Sequence, residues 1–317
     1  TDEVEGLPLY LGSRTLPGEK STRFSKAAKQ ILNTGLNCLG TSTTPEFGLT
    51  GTTESLRFGS TRNPWNTAYS TGGSSGGSSE LVAAGVIPIA HANDGAGSIR
   101  IPASCCGLVG MKASRGRIKD KEVPSYFPAN ILHDGVVTRT VRDTWAFHSS
   151  IEQNIPATEF PPIGEISDKQ PKPLRIAVLT ENCYGTQSPS ELVEAAHDVA
   201  KKCESLGHTI ELISNPFYSR FDSDFWLLWS HLAFYIRYGG GKEFDPKFDY
   251  SKLEQWPKYL VSKHWKNLHK IPFAFRRLRS FSADYEKLFD RYDVLLTPTL
   301  GTTTPPLGKF GPEVDGK

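Results

Sequence analysis

Two serines stand in surroundings that could make them reactive. Ser74 lies inside the Gly/Ser tract "TGGSSGGSS" (71–79), and Ser98 follows later in "DGAGSIRIP". Small residues directly before Ser98 would let a substrate carbonyl approach the backbone, where successive N–H groups could converge on an oxyanion. Because a free hydroxyl is a poor nucleophile at neutral pH, this chemistry also requires a group that activates the serine. The small residues are Gly95, Ala96 and Gly97.

The Gly/Ser tract is not typical of a linker, because an apolar stretch, 80–110, follows it without a second polar segment. We expect a short buried helix over 79–90 that begins where the glycines end. The tract would then precede a helix N-terminus, where free N–H groups collect. A phosphate-binding loop is not favoured, since the tract carries no GK[ST] sequence.

Other polar residues near Ser98 have supporting roles in this interpretation. We expect Ser75 and Asp94 to hold the loop, with direct catalytic work as the alternative, and Arg100 to pair with a carboxylate such as Asp94. His91 suggests a Ser–His arrangement, but it has no fixed spatial relation to Ser98. The five cysteines show no CxxC or Cys/His ligand spacing, so no metal site is expected. No cofactor is expected either.

Taken together, the motifs resemble those of the amidase signature family. GGSSGG stands at Gly72–Gly77, the block around the second serine at Asp94–Ala103, and a CGxxGxK-type stretch at Cys106–Arg117. "DGVVTRTVRD" (134–143) and "YDVLLTPT" (292–299) extend the resemblance over essentially the whole chain. The resemblance implies an α/β amidase signature fold with a central mixed β-sheet covered by helices on both faces.

The resemblance also implies a serine–serine–lysine triad. Ser98 corresponds to the nucleophile, and Ser74, which in relatives follows a cis peptide bond, corresponds to the bridging serine. The bridging serine would relay the proton to a neutral lysine, an acyl-serine would form, and water would then release the acid. The expected oxyanion donors are the N–H groups around Gly95, Ala96, Gly97 and Ser98.

The chain departs from the family pattern at its ends and at one position inside a motif. The resemblance places the base lysine just upstream of Thr1, and neither Lys20 nor Lys112 matches its position. We therefore expect a single amidase signature domain over 1–317 that is incomplete at both termini and inactive by itself. Ala96 replaces the usual glycine, which would strain the backbone only if φ there is positive.

We expect the catalytic core over about 39–143 and a second region over about 174–300. In the second region, strands at 174–180 and 208–214 flank a helix that has Ser188 as its predicted N-cap, which is a βαβ unit.

A helical, aromatic segment at 216–290 follows, and we expect it to contribute substrate selectivity. The segment 292–299 is predicted to return as a buried strand.

Composition excludes several classes of partner. The chain is 38% apolar and 22% charged with a formal charge of +2, so neither nucleic acid nor a membrane surface is expected. Unpaired cysteines favour the cytoplasm. We expect a small-molecule amide as the substrate and a monomer or homodimer as the assembly.

The expected function is hydrolysis of a carboxylic amide by a stand-alone bacterial amidase, like the enzymes that open 6-aminohexanoate cyclic dimer. One alternative is the glutaminase subunit of a tRNA-dependent amidotransferase, which would need partner subunits. The other is a catalytically dead binding or scaffold protein that keeps the fold.

Overall fold

The computed structural model describes residues 2–118, 130–155, 160–166, 172–182, 185–216 and 219–312. The chain divides into two compact units. The first comprises Thr1–Ile166, Ala233–Val261 and Thr304–Lys317, and the second comprises Ser167–Leu232 and Ser262–Thr303. The description of 1–317 as a single domain stays a prediction.

The described residues form the following helices and strands. The α-helices are α1 (Lys26–Leu32), α2 (Gly76–Ala83), α3 (Arg100–Cys106), α4 (Val141–Asn154), α5 (Ser190–Ser205), α6 (Phe221–Glu243), α7 (Gln255–Lys266), α8 (Ile271–Glu286) and α9 (Leu288–Arg291). The strands are β1 (Glu54–Ser55), β2 (Gly59–Ser60), β3 (Arg62–Asn63), β4 (Asn66–Ser70), β5 (Ile89–Asp94), β6 (Val109–Gly110), β7 (His133–Thr138), β8 (Arg175–Val178), β9 (Thr209–Leu212) and β10 (Val294–Leu296).

An antiparallel sheet in the first unit carries the segments that hold the two serines. Its strand order is β5-β7-β6, and β5 pairs with β7 along its whole length, from Ile89 opposite Thr138 to Asp94 opposite His133. Helices α2 and α3 share one apolar cluster with this sheet, so a common core lies beneath both serine segments. The cluster consists of Val82, Ala92, Ile99, Ala103 and Val137.

The helix expected at 79–90 is placed differently in the structure. Helix α2 begins inside the glycine tract, at Gly76, and ends at Ala83. Gly85 then adopts a left-handed conformation with φ +76°, and Pro88 directly precedes β5. Because a left-handed glycine and a proline both interrupt a helix, Ile89 and Ala90 belong to the strand instead.

The βαβ unit expected in the second region is present in the second unit. Strands β8 and β9 are parallel and flank α5 in the sequence, and β10 pairs in parallel with the other side of β8. The predicted N-cap is wrong, because α5 starts at Ser190 after Pro189 and has no side-chain cap. The N–H of Ser188 instead donates to the carbonyl of Thr180 at 3.1 Å, which ties Ser188 to the chain after β8.

Strand β10 is shorter and more exposed than expected. It covers only Val294–Leu296, and Val294 is 38% exposed. Within the described residues β10 lies at the edge of its sheet, so only one of its sides is paired. The segment at 216–290 is helical, as expected, and contains α6, α7 and α8. None of the helices that the structure describes is both long and apolar enough to cross a bilayer.

Candidate active site

The loop that carries Ser74 is held by two threonine hydroxyls. The Gly73–Ser74 peptide bond is cis, as the resemblance implies, and Ser74 is 4% exposed. Thr44 Oγ1 donates to the carbonyl of Ser74 at 3.0 Å. Thr53 Oγ1 accepts the N–H of Gly76 at 3.0 Å and donates to the carbonyl of Gly72 at 2.9 Å. The loop is therefore fixed on both sides of Ser74 by side chains from upstream segments.

The glycines of the tract allow close packing of backbone rather than flexibility. A Cβ atom on Gly73 would lie 2.6 Å from the carbonyl carbon and oxygen of Thr52. A Cβ atom on Gly76 would lie 2.2 Å from Thr53 Oγ1. Any side chain at either position would push the loop away from its supports, which explains a tract that resembles a linker in composition alone.

The turn that carries Ser98 is organised around the carboxylate of Asp94, at the end of β5. Asp94 is 1% exposed, and it accepts the N–H of Gly97 at 2.7 Å and the N–H of Ile99 at 3.3 Å. Arg100 donates from Nε at 2.9 Å and from Nη2 at 3.0 Å, which is the pairing expected from the sequence. Burial by itself would raise the pKa of Asp94, but these bonds and the charge of Arg100 hold the pKa below its usual value. Asp94 is thus an ionised anchor for the turn.

Gly97 is required by the geometry of this turn. Its φ is +118°, and a Cβ atom there would lie 2.8 Å from Ile101 Cδ1. Ala96 is not among the described residues with positive φ, so its methyl group is tolerated.

The turn presents backbone donors beside Ser98, which is 8% exposed. Within the described part of the chain, the N–H groups of Gly95, Ala96 and Ser98 donate to no partner. The N–H of Gly97, expected among the oxyanion donors, is instead bonded to Asp94. Three of the four N–H groups between Gly95 and Ser98 therefore remain available where an oxyanion could be stabilised.

Ser75 joins the loop and the turn. Its backbone N–H donates to the carbonyl of Ser98 at 3.3 Å. Its hydroxyl accepts the N–H of Asn93 at 3.1 Å and donates to the carbonyl of Asn93 at 3.3 Å. Ser75 thus binds the loop to both β5 and the turn, which is the holding role expected for it.

His91 is engaged with carboxylates. Its Nε2 lies 2.9 Å from Asp134 Oδ1 and 3.5 Å from Asp2 Oδ2. Among the described residues these three place their possible metal-ligand atoms within 4.8 Å of one another. The His–Asp pair bridges β5 and β7, and its geometry adds nothing in favour of the Ser–His alternative.

Sequence reasoning missed the two threonines that hold the Ser74 loop. Thr44 opens the "TPEFG" stretch (44–48), so its position beside a motif was a usable signal. Thr53 lies in a polar segment with no such signal, because threonines that hydrogen-bond to loops are common throughout proteins.

Two lysines within the chain were considered as the catalytic base. Lys20 is exposed, and Lys112 Nζ donates to the carbonyl of Ala113 at 2.7 Å.

Two buried serines on segments that are hydrogen-bonded to each other, with backbone N–H groups beside Ser98 that bond to no described residue, form an arrangement compatible with acyl transfer at serine. The model of the Amidase family matches residues 2–317, and the chain belongs to this family. The family and the α/β amidase signature fold expected from the sequence are thereby confirmed.

The chain is similar to named relatives over nearly all its length. It is 41% identical over 311 residues to AmiC of Mycobacterium tuberculosis, named as an amidase, and this match covers 98% of the chain and 66% of that protein. It is 33% identical over 306 residues to the 6-aminohexanoate-cyclic-dimer hydrolase of a Pseudomonas species, covering 89% of the chain and 61% of that protein. The chain therefore spans less than two thirds of the length of these relatives.

Solved structures give the same result for the fold. The structure of a 6-aminohexanoate cyclic dimer hydrolase complexed with substrate matches with a TM-score of 0.82 and 28% identity. This match covers 97% of the chain and 67% of that structure.

Proposed function

We propose that the natural protein containing this chain hydrolyses a small carboxylic amide through an acyl-serine on Ser98. The observation that carries the proposal is that the Ser74 loop is hydrogen-bonded to the Ser98 turn, next to backbone N–H groups that have no hydrogen-bond partner in the part of the chain that the structure describes. Three N–H groups, those of Gly95, Ala96 and Ser98, have no partner among the described residues. An arrangement of this kind suits a reaction in which negative charge develops on a carbonyl oxygen.

In the proposed reaction, Ser98 Oγ attacks the amide carbonyl carbon while its proton passes to Ser74. Ser74 passes its own proton to a base, which the family resemblance implies is a lysine preceding Thr1. The free N–H groups stabilise the oxyanion, the C–N bond breaks, and the amine leaves with a proton returned through Ser74. Water then attacks the acyl-serine by the reverse route and releases the carboxylic acid.

Asp94 and Ser75 support this reaction without touching the substrate. Asp94 fixes the turn through the N–H groups of Gly97 and Ile99. Ser75 fixes the loop through the backbone of Asn93. Arg100 neutralises the buried charge of Asp94, so we assign it to the support of the turn rather than to substrate binding.

We infer a small neutral amide as the substrate, and 6-aminohexanoate cyclic dimer is the first compound to test. Similarity to two hydrolases with that name supports the choice. L-Glutamine serves as the competing substrate, because a glutaminase subunit would release ammonia from it. We also propose a cytoplasmic location and a monomeric or homodimeric assembly.

The test is hydrolysis by the natural gene product and by its Ser98→Ala variant. The proposal predicts release of linear 6-aminohexanoate dimer, or of acid and amine from a simple aliphatic amide, that disappears in the variant. Ammonia from L-glutamine alone, with co-purifying subunits, would favour the amidotransferase function instead. Equal turnover by both proteins would exclude Ser98 as the nucleophile.

A further inference from the structure

A buried carboxylate that the proposed reaction does not use lies close to the Ser74 loop. Glu46 is 2% exposed and lies in a short 3-10 turn, Glu46–Gly48. Its Oε1 accepts the hydroxyl of Ser13 at 2.6 Å, and its Oε2 accepts the backbone N–H of Glu254 at 2.8 Å. A buried carboxylate is costly unless its oxygens are bonded, so both bonds are needed to retain it.

Both ends of this connection are anchored in turn. Ser13 Oγ lies 2.7 Å from Thr15 Oγ1. The carboxylate of Glu254 accepts the backbone N–H of Leu56 at 2.6 Å. Burial raises the pKa of Glu46, while the bonds from Ser13 and from Glu254 act in the opposite direction. Glu46 therefore connects three separate segments of the first unit at one point.

The turn that Glu46 anchors faces the hydroxyl of Ser74. A Cβ atom on Gly48 would lie 3.1 Å from Ser74 Oγ, so the backbone of Gly48 borders that hydroxyl directly. At the other side of the turn, Thr44 Oγ1 donates to the carbonyl of Ser74 at 3.0 Å. The segment 44–48 thus contacts Ser74 at both its main chain and its side chain.

The backbone of the turn needs support to keep this position. Phe47 has φ +52° and ψ +19°, a left-handed conformation that is unfavourable for a non-glycine residue. Its N–H donates to the carbonyl of Leu11 at 2.8 Å, and its ring lies 5.5 Å from that of Phe244. Such a conformation persists only where the surroundings determine it, and Glu46 supplies the buried polar part of those surroundings.

We propose that Glu46 is a positioning residue for the Ser74 hydroxyl, acting through the Glu46–Gly48 turn and its bonds to Ser13 and Glu254. This inference rests on the proposed function, since it matters only if Ser74 relays a proton. Loss of the Glu46 carboxylate lets the turn relax, and the backbone of Gly48 then no longer restricts the position of the Ser74 hydroxyl.

The test uses the natural gene product with Glu46→Ala, Glu46→Gln and Glu152→Ala. The first variant removes both bonds. In the second, the amide oxygen can accept the N–H of Glu254 while the amide nitrogen donates to Ser13 Oγ, so the connection is kept without the charge. The control is Glu152→Ala. The Glu152 carboxylate also joins separate segments, because it accepts hydrogen bonds from Arg117 and from the N–H of Ile163, but it lies on α4 rather than in the turn beside Ser74.

Four quantities are measured for each protein: the rate at which a fluorophosphonate adds to Ser98, kcat and KM on 6-aminohexanoate cyclic dimer, and the melting temperature. We expect Glu46→Ala to slow labelling and lower kcat by about 100-fold, as misplacement of a catalytic group by about 1 Å can do, with KM little changed. Glu46→Gln should restore most of both rates. Glu152→Ala should lower the melting temperature while leaving both rates close to those of the unsubstituted protein.

The outcomes separate the inference from the proposed function. Absence of any Ser98 adduct on the unsubstituted protein would overturn the proposed function and the role of Glu46 with it. Normal labelling of Ser98 together with an unchanged rate in Glu46→Ala would overturn only the positioning role. If Glu46→Ala does not fold, Ser13→Ala removes one of the two bonds alone, and a normal labelling rate in that folded variant would likewise overturn the role.

Discussion

The backbone N–H of Ser75 donates to the carbonyl oxygen of Ser98 at 3.3 Å, which joins the Gly/Ser loop to the turn at the end of β5. Both segments rest on the same apolar cluster, which includes Val82 of α2 and Ile99. Because these connections are short and the core is shared, the relative placement of the two serine segments is determined by backbone and packing rather than by long side chains.

Thr53→Val should destabilise the Ser74 loop. The substitution keeps the shape of the side chain but leaves the buried N–H of Gly76 without its acceptor, at a cost of about 1–3 kcal/mol. Urea unfolding measures the change in free energy, and Thr53→Ser, which keeps the hydroxyl, is the matched control. Equal stability of the valine and serine variants would show that the hydroxyl does not hold the loop.

Gly97→Ala should be strongly destabilising. The new Cβ atom would be forced into a φ of +118° and placed 2.8 Å from Ile101 Cδ1, so we expect a loss of about 2–4 kcal/mol. Gly241→Ala is the same chemical change inside α6, where a Cβ atom meets nothing within 4 Å. Since alanine favours a helix over glycine, that control should gain about 0.5–1 kcal/mol. Losses of equal size at both positions would contradict the account of Gly97.

His148 should make the protein sensitive to acid. Burial, with a smaller contribution from the charge of Arg117 and an opposing one from Glu152, lowers the pKa of His148 to about 4 from 6.5. The folded protein then binds fewer protons than the unfolded chain between these values, so stability falls as pH falls through that window.

The His148→Gln variant cannot titrate at this position. Between pH 7 and pH 4, its free energy of unfolding should fall by about 3 kcal/mol less than that of the unsubstituted protein. In His269→Gln, where the replaced side chain is exposed, the fall should equal that of the unsubstituted protein. Parallel pH profiles for the unsubstituted protein and His148→Gln would refute the assignment.

Glu254 should lower the stability of the protein as pH rises, which is opposite to the effect of His148. Burial raises its pKa to about 7 from 4.5, and the charge of Glu46 adds to the increase, while the N–H of Leu56 lowers it. The folded protein then holds a proton that the unfolded chain has released, so this contribution is complete below pH 4.5 and is lost as pH rises through about 7.

Substitution of Glu254 by Gln should remove that loss. Measured by urea unfolding, the variant should gain about 3 kcal/mol relative to the unsubstituted protein between pH 4.5 and pH 8. A difference between the two proteins that stays constant with pH would show that folding does not raise the pKa of Glu254.

Much of the candidate site could be predicted from short motifs because the motifs themselves form it. The pairing of Arg100 with Asp94 and the holding role of Ser75 both concern residues inside those motifs. Support from Thr44 and Thr53 could not be predicted with the same certainty, since these hydroxyls reach the loop from segments distant in sequence.

Element boundaries were harder to predict than element types. The start of α2 at Gly76 depends on tertiary packing of the glycine backbone against Thr53, which local propensity opposes. Ser188 is not the N-cap because α5 begins two residues later, at Ser190, directly after Pro189. The antiparallel pairing of β5 with β7 joins segments separated by a long stretch of chain, and periodicity carries no information on such partners.

The most direct test of the central claim is an intact mass of the natural gene product before and after reaction with a fluorophosphonate, followed by mapping of the labelled residue. The account predicts one adduct per chain on Ser98, and loss of that adduct in both Ser98→Ala and Ser74→Ala. No adduct, or an adduct on another residue that persists in Ser98→Ala, would contradict the claim that these two serines form the catalytic site.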